Sequence, residues 1–156
     1  MFCIEIFAGT GKLTASLRAL CLKDSFGVDV KLPAFLRSPI IKYDLLRADH
    51  LLLVKSLIQS QYCIFVHFAP PCGTSLRARL IQRRNQWSLP ILRTDAYPNG
   101  LPNLSGTLGT RVRAANNLYE ITCQLVEFCM LHQKYSPRFA WGGRPHRMFF
   151  LVRDRS

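Results

Sequence analysis

Met1-Phe2-Cys3-Ile4-Glu5-Ile6-Phe7-Ala8-Gly9-Thr10-Gly11-Lys12 is the stretch whose reading decides the fold. Met1 to Phe7 is apolar apart from Glu5 and short enough to be a strand. After the two glycines, Leu13, Leu17, Leu20 and Cys21 recur at helical spacing. Strand, glycine turn and helix form the opening βα unit of a nucleotide-type fold. Glycine lets the backbone approach a ligand, and the amino end of the helix presents amides to it. A P-loop would need glycine at position 6 and Ser or Thr at position 13, which hold Ile6 and Leu13. A dinucleotide fingerprint would need a third glycine where Thr14 stands. S-adenosylmethionine, whose site uses the same turn with fewer glycines, is the remaining cofactor; a purely structural turn is the plain alternative.

Moving outward, Phe26-Gly27-Val28-Asp29-Val30 is the expected second strand, and Asp29 stands about twenty residues beyond the turn, where an acid can hold ribose hydroxyls. Lys31 to Pro39 connects it to a short third strand, Ile40 to Asp44. Asp44 is expected either to cap the next helix or to hold the adenine amino group. Leu46, Leu53 and Leu57 are expected on that helix's apolar face, with His50 in solvent. Tyr62 to Phe68 is an apolar, β-branched and aromatic run that stops at Pro70-Pro71, because proline fixes its own φ and lacks an amide donor. Cys72 follows at once, then Gly73, Thr74, Ser75, Arg77 and Arg79. A thiol at the carboxyl end of a buried strand is placed to react; the bland reading is a small apolar residue in a turn.

From Leu76 to Arg111 no apolar period survives. Arg77, Arg79, Arg83 and Arg84 with Trp87 suit phosphate contact and base stacking, and a solvated segment is the alternative. Arg111 to Gln133 is the expected long helix, with Val112, Ala115, Tyr119, Thr122, Val126 and Cys129 in one stripe and Leu118, Leu125 and Phe128 widening it. Arg111, Arg113, Glu120 and Glu127 are expected outer-face charges. The chain therefore divides into an α/β domain over 1–135 and an irregular basic tail over 136–156, read as out of frame or disordered.

The 21 Lys and Arg against 9 Asp and Glu give a net charge of +12, a field that favours nucleic acid as partner. The six cysteines contain no C-x-x-C pair, so no zinc site is expected. No apolar run approaches the roughly 18 residues of a membrane span, and no signal peptide precedes the first strand. An intracellular, reducing location follows, nuclear and cytoplasmic being undivided, and the oligomeric state is left open.

Glu5-Ile6-Phe7-Ala8-Gly9-Thr10-Gly11, Asp29, Asp44 and Pro70-Pro71-Cys72 stand in the order and approximate spacing of the DNA (cytosine-5) methyltransferases. The chain resembles that family over about its first 80 residues, and also the methyltransferase-like domains of mobile elements and phages. The resemblance implies a Rossmann-like S-adenosylmethionine-dependent methyltransferase fold with an incomplete sheet. Phe7, Gly9, Gly11, Asp29, Asp44 and Pro70 would line the cofactor, and Cys72 would be the nucleophile that adds to a cytosine. Arg77 and Arg79 would draw in nucleic-acid phosphates, DNA ahead of RNA, and lower the thiol pKa; Arg83 and Arg84 are expected to contact nucleic acid from the loop's composition. No metal or membrane is implied.

The chain departs from the family at Gly73, where the family has Gln, and contains no Glu-Asn-Val or Glu-Asn-Pro triplet to engage the base. The competing function is therefore a catalytically inactive, nucleic-acid-binding remnant of a methyltransferase. A nicotinamide oxidoreductase is disfavoured by Thr14 and by the lack of dehydrogenase acid–base residues.

Overall fold

A computed structural model of the chain describes residues 1–74, 90–131, 136–138 and 149–152, the last two segments by their backbone. The elements are β1 (Phe2–Ile6), α1 (Lys12–Ala19), β2 (Phe26–Asp29), β3 (Ile40–Lys42), α2 (Ala48–Gln59), β4 (Cys63–Phe68), α3 (Gly106–Leu131), β5 (Ser136–Arg138) and β6 (Phe149–Val152). By internal contacts they fall into two units, Met1–Pro70 with Ile121–Ser156, and Pro71–Glu120.

In the first unit the strands form one sheet in the order β3-β2-β1-β4-β6-β5. The first four run parallel, with Ile6 opposite Val28 on one side and Phe68 on the other. β6 pairs antiparallel with β4, and β5 antiparallel with β6. The chain is thus α/β, and its parallel strands have the order of a doubly wound nucleotide-binding half. Cys3, Ile4, Glu5 and Ile6 are consecutive and all buried, as expected of a central parallel strand covered on both faces. Ile4, Ile6, Val28, Val66 and Phe68 share one core with Val54 and Ile58 of α2 and with Leu125 and Cys129 of α3. Burying each large apolar side chain contributes about 1.5–3 kcal/mol. Of the segment expected as a tail, the described parts are β5 and β6; the rest lies outside the described residues.

Two helices differ from their expected form. α2 begins at Ala48, with Arg47 as its N-cap residue, so Asp44 does not cap it. Asp44 Oδ1 instead accepts from the Leu46 amide at 3.0 Å, a short side chain closing on its own backbone two residues on. Leu46 precedes the helix and is exposed, as is Leu53; Leu57 packs against the core as expected, beside the buried Val54 and Ile58. α3 starts five residues before Arg111, through glycines that read as loop. Gly109 sits there because a Cβ would stand 2.7 Å from the Leu104 carbonyl oxygen, a close approach that other residues would obstruct. The apolar stripe of α3 lies as the sequence predicts, with Val112, Ala115, Thr122, Leu125 and Cys129 buried.

Candidate functional site

The carboxyl ends of the parallel strands form the rim of the first unit. β1 ends in a sharp turn: Phe7 takes φ 63°, Gly9 56° and Gly11 71°, all left-handed. The turn is fastened to β2, since Val28 O accepts from the Phe7 and Ala8 amides at 2.9 and 3.1 Å. Gly27 makes the approach possible, because a Cβ there would meet that of Ala8 at 2.5 Å. Asp29, at the end of β2, accepts from the Gly9 amide through Oδ2 at 2.9 Å and from the Lys31 amide through Oδ1 at 3.1 Å. Turn and acid, 20 residues apart in the chain, therefore meet directly.

Gly9 and Gly11 differ in use. A Cβ at Gly9 would meet nothing within 4 Å, so the backbone there faces open space, as a ligand cradle requires. A Cβ at Gly11 would collide with Ser38 Oγ, which donates to Gly11 O at 2.9 Å. The Arg37 amide donates to Thr10 O at 3.2 Å beside it, so the 31–39 connection closes over the second glycine and leaves the first open. Gly11 is thus packed by the protein itself.

β3 ends beside β2, with the Tyr43 amide donating to Asp29 O at 3.0 Å. The Asp44 amide donates to His50 Nδ1 at 2.9 Å, and the His50 ring stacks on Tyr43 with centroids 4.9 Å apart. His50, expected as a solvated helix residue, is a structural acceptor that pins Asp44 to the rim. Pro70 completes the group: the neighbouring Ala69 amide donates to Ile6 O at 3.1 Å, extending the β4–β1 ladder one residue past the end of β4. Phe7, Gly9, Asp29, Asp44 and Pro70 therefore share one edge of one sheet.

Glu5 is the rim residue that sequence reading passed over. Buried in β1, its Oε2 accepts from both the amide and the hydroxyl of Thr14, at 2.9 and 2.6 Å. A carboxyl group from the strand thus satisfies an amide in the first turn of α1, where the helix dipole favours an acid. The signal was present: an acid inside an otherwise apolar strand has to find a donor.

The second unit holds Cys72, which is partly exposed. Its loop is tied down on both sides. Tyr119 donates its hydroxyl to Pro71 O at 3.2 Å, and Arg93 donates Nε to Thr74 Oγ1 at 3.1 Å. The same guanidinium donates to Asn116 Oδ1 at 2.7 Å, to Pro98 O, and to Val112 O at 3.5 Å, and it lies 5.8 Å from the Tyr119 ring centroid. Burial pulls the Arg93 pKa below its ordinary value, with Tyr119 acting in the opposite sense. Nothing in the sequence separates Arg93 from the other arginines of its segment. A Cβ on Gly73 would stand 3.1 Å from an Arg111 Nη, so this cation, expected on an outer face, presses against the residue after the thiol.

Arg77, Arg79, Arg83, Arg84 and Trp87 lie outside the described residues, as does any influence of the first two on the thiol. Cys3, Cys63 and Cys129 are buried; burial, and then the nearby Cys63, push the Cys129 thiol up to about 12. Burial likewise pushes His67 down to about 4, so that ring is neutral near pH 7. Among the described residues no group of three His, Cys, Asp or Glu could hold a metal, and no helix is long and apolar enough to cross a membrane. No protein-family profile, curated protein or solved structure matches the chain.

Proposed function

We propose that this chain is an S-adenosylmethionine-dependent methyltransferase domain that acts on cytosine in DNA through Cys72. The observation that carries the reading is the sheet order. Between β1 and β4 the order of strands reverses, and open α/β sheets bind ligands outside the carboxyl ends of their strands at such a point. Phe7, Gly9, Asp29, Asp44 and Pro70 all stand on that edge. Gly9 has open space before it, and each carboxylate keeps acceptor capacity: two hydrogen bonds are assigned to Asp29, against about four lone-pair sites. Those sites suit ribose hydroxyls, and Asp44 suits an adenine amino group.

S-adenosylmethionine, when bound, supplies an electrophilic methyl group on a sulfonium. The chain supplies the nucleophile. As thiolate, the Cys72 sulfur adds to carbon 6 of the base, which makes carbon 5 nucleophilic enough to take the methyl, whose bond to the sulfonium breaks and leaves the neutral thioether S-adenosylhomocysteine. Loss of the carbon 5 proton to solvent then breaks the carbon–sulfur bond and returns the thiolate. The base must leave its stack to reach the sulfur. The charge of +12 draws the polyanion in.

A second reading, a nucleic-acid-binding remnant without activity, is favoured by one observation: Glu120 and Glu127 lie exposed on α3, and the chain has no Glu-Asn triplet to hold the base. Calorimetry with S-adenosylhomocysteine and methyl transfer to DNA separate the two. The expected result is that Asp29→Ala weakens cofactor binding about tenfold, the loss of one or two hydrogen bonds to a charged group. Cys72→Ser should bind as the wild type does and transfer nothing. Cofactor binding without transfer by the wild type selects the remnant; no cofactor binding at all overturns the methyltransferase, and no binding to DNA overturns the remnant.

A further inference from the structure

Cys72 sits in a loop without regular hydrogen-bonded structure, directly after two prolines, and a nucleophile has to be held within a fraction of an ångström to react. The question is which group holds it. Pro70 and Pro71 stiffen the approach but donate no hydrogen bonds, so the grip has to come from other segments. Two side chains supply it. The Tyr119 hydroxyl takes Pro71 O, one residue before the thiol, and Arg93 Nε takes Thr74 Oγ1, two residues after it. Thr74 is 3% exposed, so its hydroxyl has little water to fall back on. The two grips are themselves linked, since the Arg93 guanidinium lies against the Tyr119 ring and donates to Asn116, one helical turn before it.

We infer that Arg93 is the positioning residue of the Cys72 loop: its guanidinium joins Thr74, Asn116, Pro98 and the Tyr119 ring into one brace that fixes the thiol from both sides. This inference rests on the reading of Cys72 as nucleophile, but the brace can be tested without it. The role needs a planar fork, because one group serves acceptors in several directions at once. A lysine, with its single ammonium, cannot reach them together. Arg93 therefore acts through the loop, and not on the base or the cofactor.

The experiment uses the full chain and three variants, Arg93→Lys, Thr74→Val and Thr74→Ser. Hydrogen exchange is followed at the amides of residues 72–74, with the β1 and β4 amides as a check on the fold. Alkylation of Cys72 by iodoacetamide is followed by peptide mass spectrometry, with the exposed Cys21 and Cys123 as internal references. Arg93→Lys and Thr74→Val should raise exchange at 72–74 and the relative alkylation of Cys72 about tenfold, the loss of a hydrogen bond to a charged group. Thr74→Ser, which keeps the hydroxyl, should match the wild type. In methyl transfer, Arg93→Lys should lower kcat about tenfold and leave KM for DNA and the affinity for S-adenosylhomocysteine unchanged. Exchange and alkylation equal to wild type in both Arg93→Lys and Thr74→Val overturn the brace, whatever the activity. A wild type that transfers no methyl, with the loop responding as expected, overturns the nucleophile reading and leaves the brace standing. If Arg93→Lys fails to fold, the two Thr74 variants decide the matter.

Discussion

The glycine turn after β1 and the cysteine loop after β4 each follow a parallel strand, yet they are built on different principles. The turn is held by the sheet: its amides continue the ladder to Val28, and acids at positions 5 and 29 accept from the backbone. The cysteine loop has no strand ladder among the described residues, and within its unit side chains from residues 93 and 119 hold it. The first arrangement is redundant, because losing one bond leaves its neighbours in place. The second concentrates several bonds in one guanidinium. A carboxyl group that accepts from amides can be placed by strand register alone, whereas a guanidinium that donates to carbonyls and hydroxyls needs a loop folded around it.

Redundancy in the turn has one exception, and it gives the largest expected effect. Glu5 is 6% exposed and is the acceptor for two donors of Thr14, which is itself 1% exposed. Glu5→Ala leaves both donors buried without that acceptor and should cost about 3 kcal/mol in urea denaturation. Glu5→Gln keeps an acceptor oxygen and should cost about 1 kcal/mol. Equal losses for the two variants would mean that shape, and not hydrogen bonding, makes Glu5 necessary, and the contrast between the two regions would weaken.

The second effect is set by pH. His67 is the register partner of Glu5 in the neighbouring strand. Burial lowers its pKa from 6.5 to about 4. The unfolded chain takes up the proton first on acidification, so the stability contributed by the neutral ring is complete above pH 6.5. It is lost progressively as pH falls toward about 4, below which both states are protonated and the loss is constant. The total loss from this residue should be on the order of 3 kcal/mol, and His67→Phe should flatten that part of the profile. An unchanged profile in the variant would assign the acid sensitivity to other groups.

How far these regions could be read from the chain follows from the same distinction. The Gly9–Asp29 meeting was legible because a βα unit of ordinary length brings the end of the second strand beside the first turn, so spacing alone places the acid. The strand at 62–68 and the stripe of α3 were legible from composition and period. The start of α3 was not: Gly106 and Gly109 read as loop, while close approach of the Leu104 backbone calls for glycine inside the helix. Of the two roles open to Asp44, the N-cap fails, because Asx turns and N-caps use the same residue types and the sequence does not separate them. His50 was missed since nothing in a helical pattern distinguishes a histidine that accepts from a preceding amide. Arg93 was invisible for a deeper reason. Its partners at 74, 98, 112 and 116 follow no period, and among many arginines one that turns inward has no local mark.

The smallest effect separates the two functions of Tyr119. Its hydroxyl bond to Pro71 is long, at 3.2 Å, and Pro71 is exposed, so water can replace the lost donor. Tyr119→Phe should therefore lower global stability by only about 0.5 kcal/mol. The ring remains beside Arg93, and Thr74 keeps its own bond, so exchange at residues 72–74 should rise far less than in Arg93→Lys. Tyr119→Leu removes the ring as well, and with it the face on which the cation rests, an interaction of about 0.5–1 kcal/mol near a surface. If Phe and Leu loosen the loop equally, the hydroxyl carries the whole contribution and the guanidinium needs no aromatic support. If Phe alone loosens it as much as Arg93→Lys does, the loop is held from the proline side, and the asymmetry between the two side chains runs opposite to the one argued here.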